Sequence, residues 1–152
     1  MQAIKPEDLK AKIGQSIGSS DWTEISQERI NQFADCTEDH QFIHVDEEAA
    51  KMTPFGGTVA HGFLSLSMLS KLAMGVALAL EGIKMGVNYG FEKVRFVQPV
   101  RAGKKIRGHF TLIDAIEKKP GQWMLTYDVS VEIEGEEKPA LVAEWLTMQM
   151  VG

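Results

Sequence analysis

The eighteen residues Phe63 to Leu80 are apolar on nearly every side, and a helix built from them has no face suited to water. Such a segment either crosses a bilayer or is enclosed by its own protein. Lys71 stands in its middle beside Ser65, Ser67 and Ser70, and a charge at the bilayer centre costs at least roughly 2.5–3.5 kcal/mol. Enclosure is therefore the expectation. It requires a second element with a broad apolar face.

That element is written in the C-terminal half, where the hydrophobic period changes from helical to two. Trp123, Leu125, Tyr127, Val129, Val131 and Ile133 alternate with Met124, Thr126, Asp128, Ser130, Glu132 and Glu134, which predicts a long half-buried strand. Similar strands are predicted over 86–97, 104–117 and 140–150. Their separators carry turn residues: Gln98-Pro99 with Gly103, Lys119-Pro120-Gly121, and Gly135 followed by Pro139. The expected architecture is α+β, a four-stranded antiparallel meander wrapped around a long central helix over 62–80. Ahead of it the sequence predicts a short helix over Pro6–Lys12, an edge strand over Asp21–Glu24, and a helix capped by Ser26 with Ile30, Phe33 and Ala34 on its inner face. One domain over 1–152 is expected, since 152 residues can bury a sizeable core and no linker or repeat interrupts them.

A formal net charge of −5 with scattered Lys and Arg gives no basic stripe for phosphate backbones, so nucleic acid is excluded as an expected partner. Residues 1–14 contain Lys5, Glu7, Asp8, Lys10 and Lys12 and hold no apolar signal core, so a cytoplasmic location is expected, with no membrane partner. The single cysteine, Cys36, suits a reducing compartment and reads as a small residue on a helix face rather than a nucleophile. Met68 and Met74 read as adaptable core.

Chemistry concentrates in Thr37-Glu-Asp-His-Gln-Phe-Ile-His-Val-Asp46 and Val59-Ala-His-Gly-Phe-Leu64. Asp39 lies five residues before His44, and Gly62 opens the apolar helix. An imidazole, with a reference pKa of about 6.5, exchanges protons near neutrality, while a carboxylate can anchor and orient a water. The first amides of a helix are unpaired donors at the positive end of its dipole, and one such donor to an oxyanion contributes roughly 2.7–4 kcal/mol to a transition state. Proton transfer beside a polarised carbonyl needs all three groups, and if Asp39 and His44 touch one water on the same face of a double bond, addition is syn. His61 reads as a buried imidazole holding a loop carbonyl, with substrate contact as its other reading, and Ser70 as a second-tier site residue. His40 and His44, with Asp39 and Asp46, could be read as a metal site, but no further ligand or HExxH pattern supports it, and no metal or cofactor is expected.

Asp39-His-Gln-Phe-Ile-His44 with Ala60-His61-Gly62 resembles the hydratase motif of the MaoC-like dehydratases, the (R)-specific enoyl-CoA hydratases with a hot-dog fold. The Pro54-Phe-Gly-Gly-Thr58 approach, the Tyr89–Phe96 strand and the Pro99–Gly103 turn extend the likeness over nearly the whole chain, most nearly to the nodulation protein N-like branch. The resemblance implies a catalytic pair at Asp39 and His44, a thioester-binding amide at Gly62 and a substrate-side serine at Ser70. It implies an acyl-CoA or acyl-carrier-protein substrate, no cofactor beyond the carrier, and a homodimer. Gln41-Phe42 stands where the broader family has Asn-Pro, so a hot-dog module that binds an acyl thioester without turning it over stays open. A thioesterase is the other alternative, although the Asp39–His44 spacing points to hydration.

Overall fold

The computed structural model describes residues 2–152. Strand β1 (Gln2–Ile4) is followed by a turn of 3₁₀ helix (Pro6–Asp8) running into α1 (Leu9–Lys12), then β2 (Ser16–Ser19) and β3 (Thr23–Glu24). Next come α2 (Gln27–Thr37), α3 (Phe42–Val45), α4 (Glu47–Lys51), α5 (Gly62–Ser67), α6 (Leu69–Ala73) and β4 (Leu78–Leu80). Four long strands complete the chain: β5 (Ile83–Phe96), β6 (Lys105–Lys119), β7 (Gln122–Ile133) and β8 (Leu141–Val151).

The long strands form the predicted antiparallel sheet, and its inner face covers the α5–α6 rod. Leu64, Met68, Leu69, Leu72 and Ala73 pack in one core with Phe110, Leu125, Tyr127, Val129 and Trp145. Cross-strand register supplies the fit: Tyr127 lies opposite Trp145 and Val129 opposite Ala143, with aromatic centroids 6.4–6.5 Å apart among Phe110, Tyr127 and Trp145. No helix among the described residues is long and apolar enough to cross a membrane.

Two expectations are corrected. The sheet is not a simple meander: its order is β2-β6-β7-β8-β5, with β3 also on β6, so β5 pairs with β8 rather than with its sequence neighbour β6. The connection from residue 97 to 104 therefore crosses the end of the sheet. Three strand spacings are roughly 14 Å, well within the roughly 26 Å reach of eight extended residues. Turn residues mark where a strand stops but carry no information on which edge it joins next.

The helix also does not run from 62 to 80. It is irregular at Met68, although Met68 N–H still donates to Leu64 O at 3.1 Å and Leu72 N–H to Met68 O at 2.9 Å, and it ends at Ala73. Leu78–Leu80 instead pairs in parallel with Gln2–Ile4. Side chains of the large sheet satisfy the other backbone groups of this small ladder. Gln149 Nε2–H donates to Leu78 O at 2.8 Å, Leu80 N–H donates to Gln149 Oε1 at 2.9 Å, and Leu78 N–H donates to the Tyr127 hydroxyl at 3.3 Å. Burial pushes the Tyr127 phenol up to about 12, so it stays protonated. An all-apolar run has no period to separate a buried helix from a buried strand, which is why the sequence alone extends the helix too far.

Smaller elements follow local rules. Ser26 Oγ accepts from Arg29 N–H at 3.1 Å and caps α2, whose Ile30 and Ala34 are buried. Cys36 is exposed on α2, Met68 is core, but Met74, expected in the core, is 63% exposed because the helix has ended there. Strands β1, β2 and β4 have no sequence signal of their own. Replacing Gln149 with Leu strands a buried carbonyl and a buried amide together, and is expected to lower unfolding free energy by roughly 1–3 kcal/mol in urea titrations.

Candidate active site

The site begins where α2 ends. Glu38 takes a left-handed conformation (φ 61°), which stops the helix and turns the chain so that Asp39 opens a loop. Asp39 Oδ1 accepts Gln41 N–H at 3.3 Å, a short turn that leads into α3. One turn of helix then exposes Phe42 and buries His44, which is only 7% accessible.

The extended stretch 58–60 runs beside α3. Val59 N–H donates to Ile43 O at 3.0 Å, and His44 Nδ1–H donates to Val59 O at 2.6 Å. That bond places the proton on Nδ1 and leaves Nε2 as a lone pair. Burial is the main cause that holds the His44 pKa below the usual histidine value; the Val59 carbonyl opposes it, His61 adds to it, and Asp39 opposes it. His44 is thus kept as a neutral base. Its backbone is fixed from a third side, because Gln27 Nε2–H donates to His44 O at 2.7 Å.

The same glutamine reaches Thr58, which is 2% exposed. The Thr58 hydroxyl sits between Gln27 Oε1 and Glu47 Oε2, the latter 2.8 Å away, and Thr58 N–H donates to Glu47 at 3.2 Å. These hydrogen bonds hold the Glu47 carboxyl below its usual range. Gln27, Thr58 and Glu47 tie α2, α4 and the 58–60 stretch to the helix carrying His44. The sequence singles out neither Gln27 nor Glu47, and Thr58 only as the end of the Pro54–Thr58 stretch.

His61 is 3% exposed and stacks on His44, with ring centroids 3.7 Å apart at 23°, while Phe33 flanks it at 5.0 Å. Its Nε2–H donates to the Asp39 backbone carbonyl at 2.9 Å and lies 3.9 Å from the Asp39 carboxylate. His61 therefore ties the Asp39 loop to the start of α5. One nitrogen of each imidazole and one oxygen of Asp39 lie within 4.8 Å of one another. Two hydrogen bonds meeting at a single water span roughly 4.6 Å, so one water can bridge such a pair.

Asp39, His44 and His61 are the one trio among the described residues that could together offer a metal ion three ligand atoms; His44 Nδ1 and His61 Nε2 donate to carbonyls, which leaves one nitrogen on each ring. The four-residue reading does not assemble: His40 pairs with Asp35 on the surface at 2.9 Å, and Asp46 caps α4 by accepting Ala49 N–H at 3.0 Å.

A cleft of about 320 Å³ opens beside His44, lined largely by apolar groups including Phe55, Val59, Phe96 and Val100, together with Gly62 and Ser65. No side chain caps the start of α5. A Cβ on Gly62 would lie 3.0–3.1 Å from the Phe96 ring, so glycine is needed for this packing as well as for access to the amide. Ser70 is elsewhere. It accepts Asn88 Nδ2–H at 3.3 Å and lines a second cleft of about 230 Å³ that shares no lining residue with the first. Eight residues beyond Gly62 is about 80° round a helix, whereas Ser65, three residues on, keeps to the cleft side.

The matches to known proteins agree with this geometry. The family model of the MaoC-like domain matches residues 8–133. Nodulation protein N of Rhizobium meliloti is 46% identical over 149 residues, covering 97% of this chain and 92% of that protein. 3-Hydroxyacyl-thioester dehydratase Z of Mycobacterium tuberculosis is 45% identical over 137 residues, covering 90% of each. Among solved structures, the MaoC-like dehydratase from Rhodospirillum rubrum superposes with a TM-score of 0.76 at 23% identity over 98% of both chains. The (R)-hydratase from A. caviae superposes at 0.69 and 21% identity, covering 89% of this chain and 94% of the other.

The fold is a hot-dog fold of the dehydratase class. The chain belongs to the MaoC-like domain family, which includes hydratases and dehydratases.

Because burial disfavours the protonated ring in the folded state, the unfolded chain takes up the His44 proton first as pH falls below about 6.5. Stability is then expected to decline between pH 6.5 and the lower folded pKa. Ring-proton NMR titration should place the His44 midpoint below 6.5, and the urea midpoint should fall over the same range. A midpoint above 6.5 would contradict the burial argument.

Proposed function

We propose that this chain interconverts trans-2-enoyl-CoA and (R)-3-hydroxyacyl-CoA by syn addition of water, with Asp39 and His44 as the acid–base pair and no cofactor. The observation that carries the reading is a neutral imidazole that lines the cleft containing Gly62, its Nδ1–H committed to Val59, with a carboxylate oxygen of Asp39 within 4.8 Å of one of its nitrogens. The dehydratase relative, named for a 3-hydroxyacyl-thioester reaction, supports the same chemistry.

In the hydration direction, Asp39 orients a water and His44 Nε2 takes its proton as the oxygen bonds to C3. The C2=C3 electron pair moves toward the thioester oxygen, which the Gly62 amide stabilises. A proton delivered from the pair to C2 completes the addition, so the protons balance and the site returns to its starting state. Water held on one face of the alkene gives a syn course and a single enantiomer, the (R) one in this reading. Ser70 enters this reading only as a lining group of the second cleft, and His61 as the residue that holds the Asp39 loop.

Loss of the conjugated-thioester absorbance of crotonyl-CoA tests the reaction. Turnover is expected in the wild type and should fall by about 10²–10⁴-fold in both Asp39→Asn and His44→Ala. Turnover that survives both substitutions would sink the pair. Binding of enoyl-CoA without turnover at any chain length would favour the non-catalytic module, and release of free thiol would favour a thioesterase.

A homodimer is part of the same reading. Among the described residues strand β5 pairs on one side only, with β8, and Met85, Val87, Tyr89 and Phe91 on it are exposed. A fourteen-residue edge with apolar side chains is a template for a second strand, and two-fold pairing would cover it. A cytoplasmic location completes the reading, supported by the free thiol of Cys36. Sedimentation velocity should show a dimer, and Tyr89→Asp should shift it toward monomer with an unchanged circular dichroism spectrum.

A further inference from the structure

A polar cleft of about 420 Å³ lies beside the dyad cleft and shares the lining residues Phe55, Gln98 and Pro99 with it. Its remaining lining includes Arg101, Lys104 and Glu136. Glu136 is already engaged: Lys104 Nζ lies 3.6 Å from it, and Gln98 Nε2–H donates to it at 3.0 Å. Arg101 has no carboxylate within ion-pair distance among the described residues.

The Arg101 backbone forms a β-bridge with Val59, whose carbonyl holds His44, and its exposed side chain passes close to Gly56. A Cβ on Gly56 would be 3.5 Å from Nη2, and the positive φ of 70° there is one that glycine adopts readily. A cation outside any ion pair thus lines the polar cleft beside the apolar one, on a backbone bridged to the residue whose carbonyl holds His44. Guanidinium binds phosphate through two parallel hydrogen bonds. The chain as a whole carries −5, so a polyanionic carrier must find its attraction locally.

We infer that Arg101, with Lys104 beside it, anchors the phosphate of the 4′-phosphopantetheine arm while the thioester lies in the neighbouring apolar cleft. The inference rests on the acyl-thioester reading of that cleft. The arm is common to coenzyme A and to acyl-carrier proteins. A phosphate held at the polar mouth directs the arm inward past Phe55 and Pro99 toward Gly62.

Calorimetric titration with coenzyme A, 4′-phosphopantetheine and pantetheine separates the parts without requiring turnover. For Arg101→Gln, affinity for the two phosphorylated ligands should fall about tenfold to a hundredfold. Pantetheine affinity should not change. Arg101→Lys should retain part of the difference, and added salt should shrink it. Circular dichroism and thermal melts establish that both variants fold.

Equal losses for pantetheine and phosphopantetheine would overturn the anchor and make Arg101 a prop for the Gly56 loop. Wild-type protein that binds the two equally, or binds no phosphorylated ligand, would also overturn it. Coenzyme A binding much tighter than phosphopantetheine points to coenzyme A as the carrier, and equal binding points to a carrier protein; both support the anchor. Arg101-dependent coenzyme A binding without crotonyl-CoA turnover sinks the reaction and leaves the anchor. Turnover with an unchanged KM in Arg101→Gln does the reverse.

Discussion

The hydrogen bond from His44 Nδ1–H to the Val59 carbonyl is the constraint on which the rest of the site depends. It selects the tautomer, turns the ring, and joins the dyad loop to the stretch that leads into α5. Val59 is itself held on two sides. Ala60 N–H donates to Val100 O at 2.7 Å and Ala102 N–H to Thr58 O at 3.0 Å, so the connection crossing the sheet end grips the segment whose carbonyl orients the base. The unexpected strand order therefore has a local consequence: a β5 paired with β6 would leave no crossover to hold residues 58–60.

Around this bond the environment is divided. One side is apolar and buries His44, which disfavours the protonated ring. The other side is polar, with Gln27, Thr58 and Glu47 locking four chain segments by hydrogen bonds. Burial alone would let the imidazole pivot, and hydrogen bonding alone would leave it hydrated. An imidazole kept neutral in one orientation needs both.

Much of the site is legible as residue types and little of it as geometry. Asp39, His44 and Gly62 can be singled out because their chemistry is specific and the helix start at Gly62 is marked by the apolar run. His61 is ambiguous in sequence because a buried imidazole and a substrate contact look alike; its bond to the Asp39 carbonyl becomes visible only in three dimensions. Ser70 shows the reverse problem. Family likeness places it beside the reaction, while the helix turn sends it to a cleft lined by Tyr127 and Trp145 and leaves Ser65 facing the dyad cleft. The misplaced helix end has a simpler cause, since Leu78, Ala79 and Leu80 have no polar partner in sequence to reveal which side is covered.

The amino-acid order by itself determined the covering of an apolar helix by an alternating sheet, because periodicity decides which faces must leave water. It also determined which groups exchange protons, because that is a property of side chains. Tertiary structure alone decided the edge that β5 occupies, the serine that faces the cleft, and the guanidinium that stands at its mouth. Those depend on pairings between residues far apart in sequence, for which local spacing carries no energy difference until the sheet has closed around the helix.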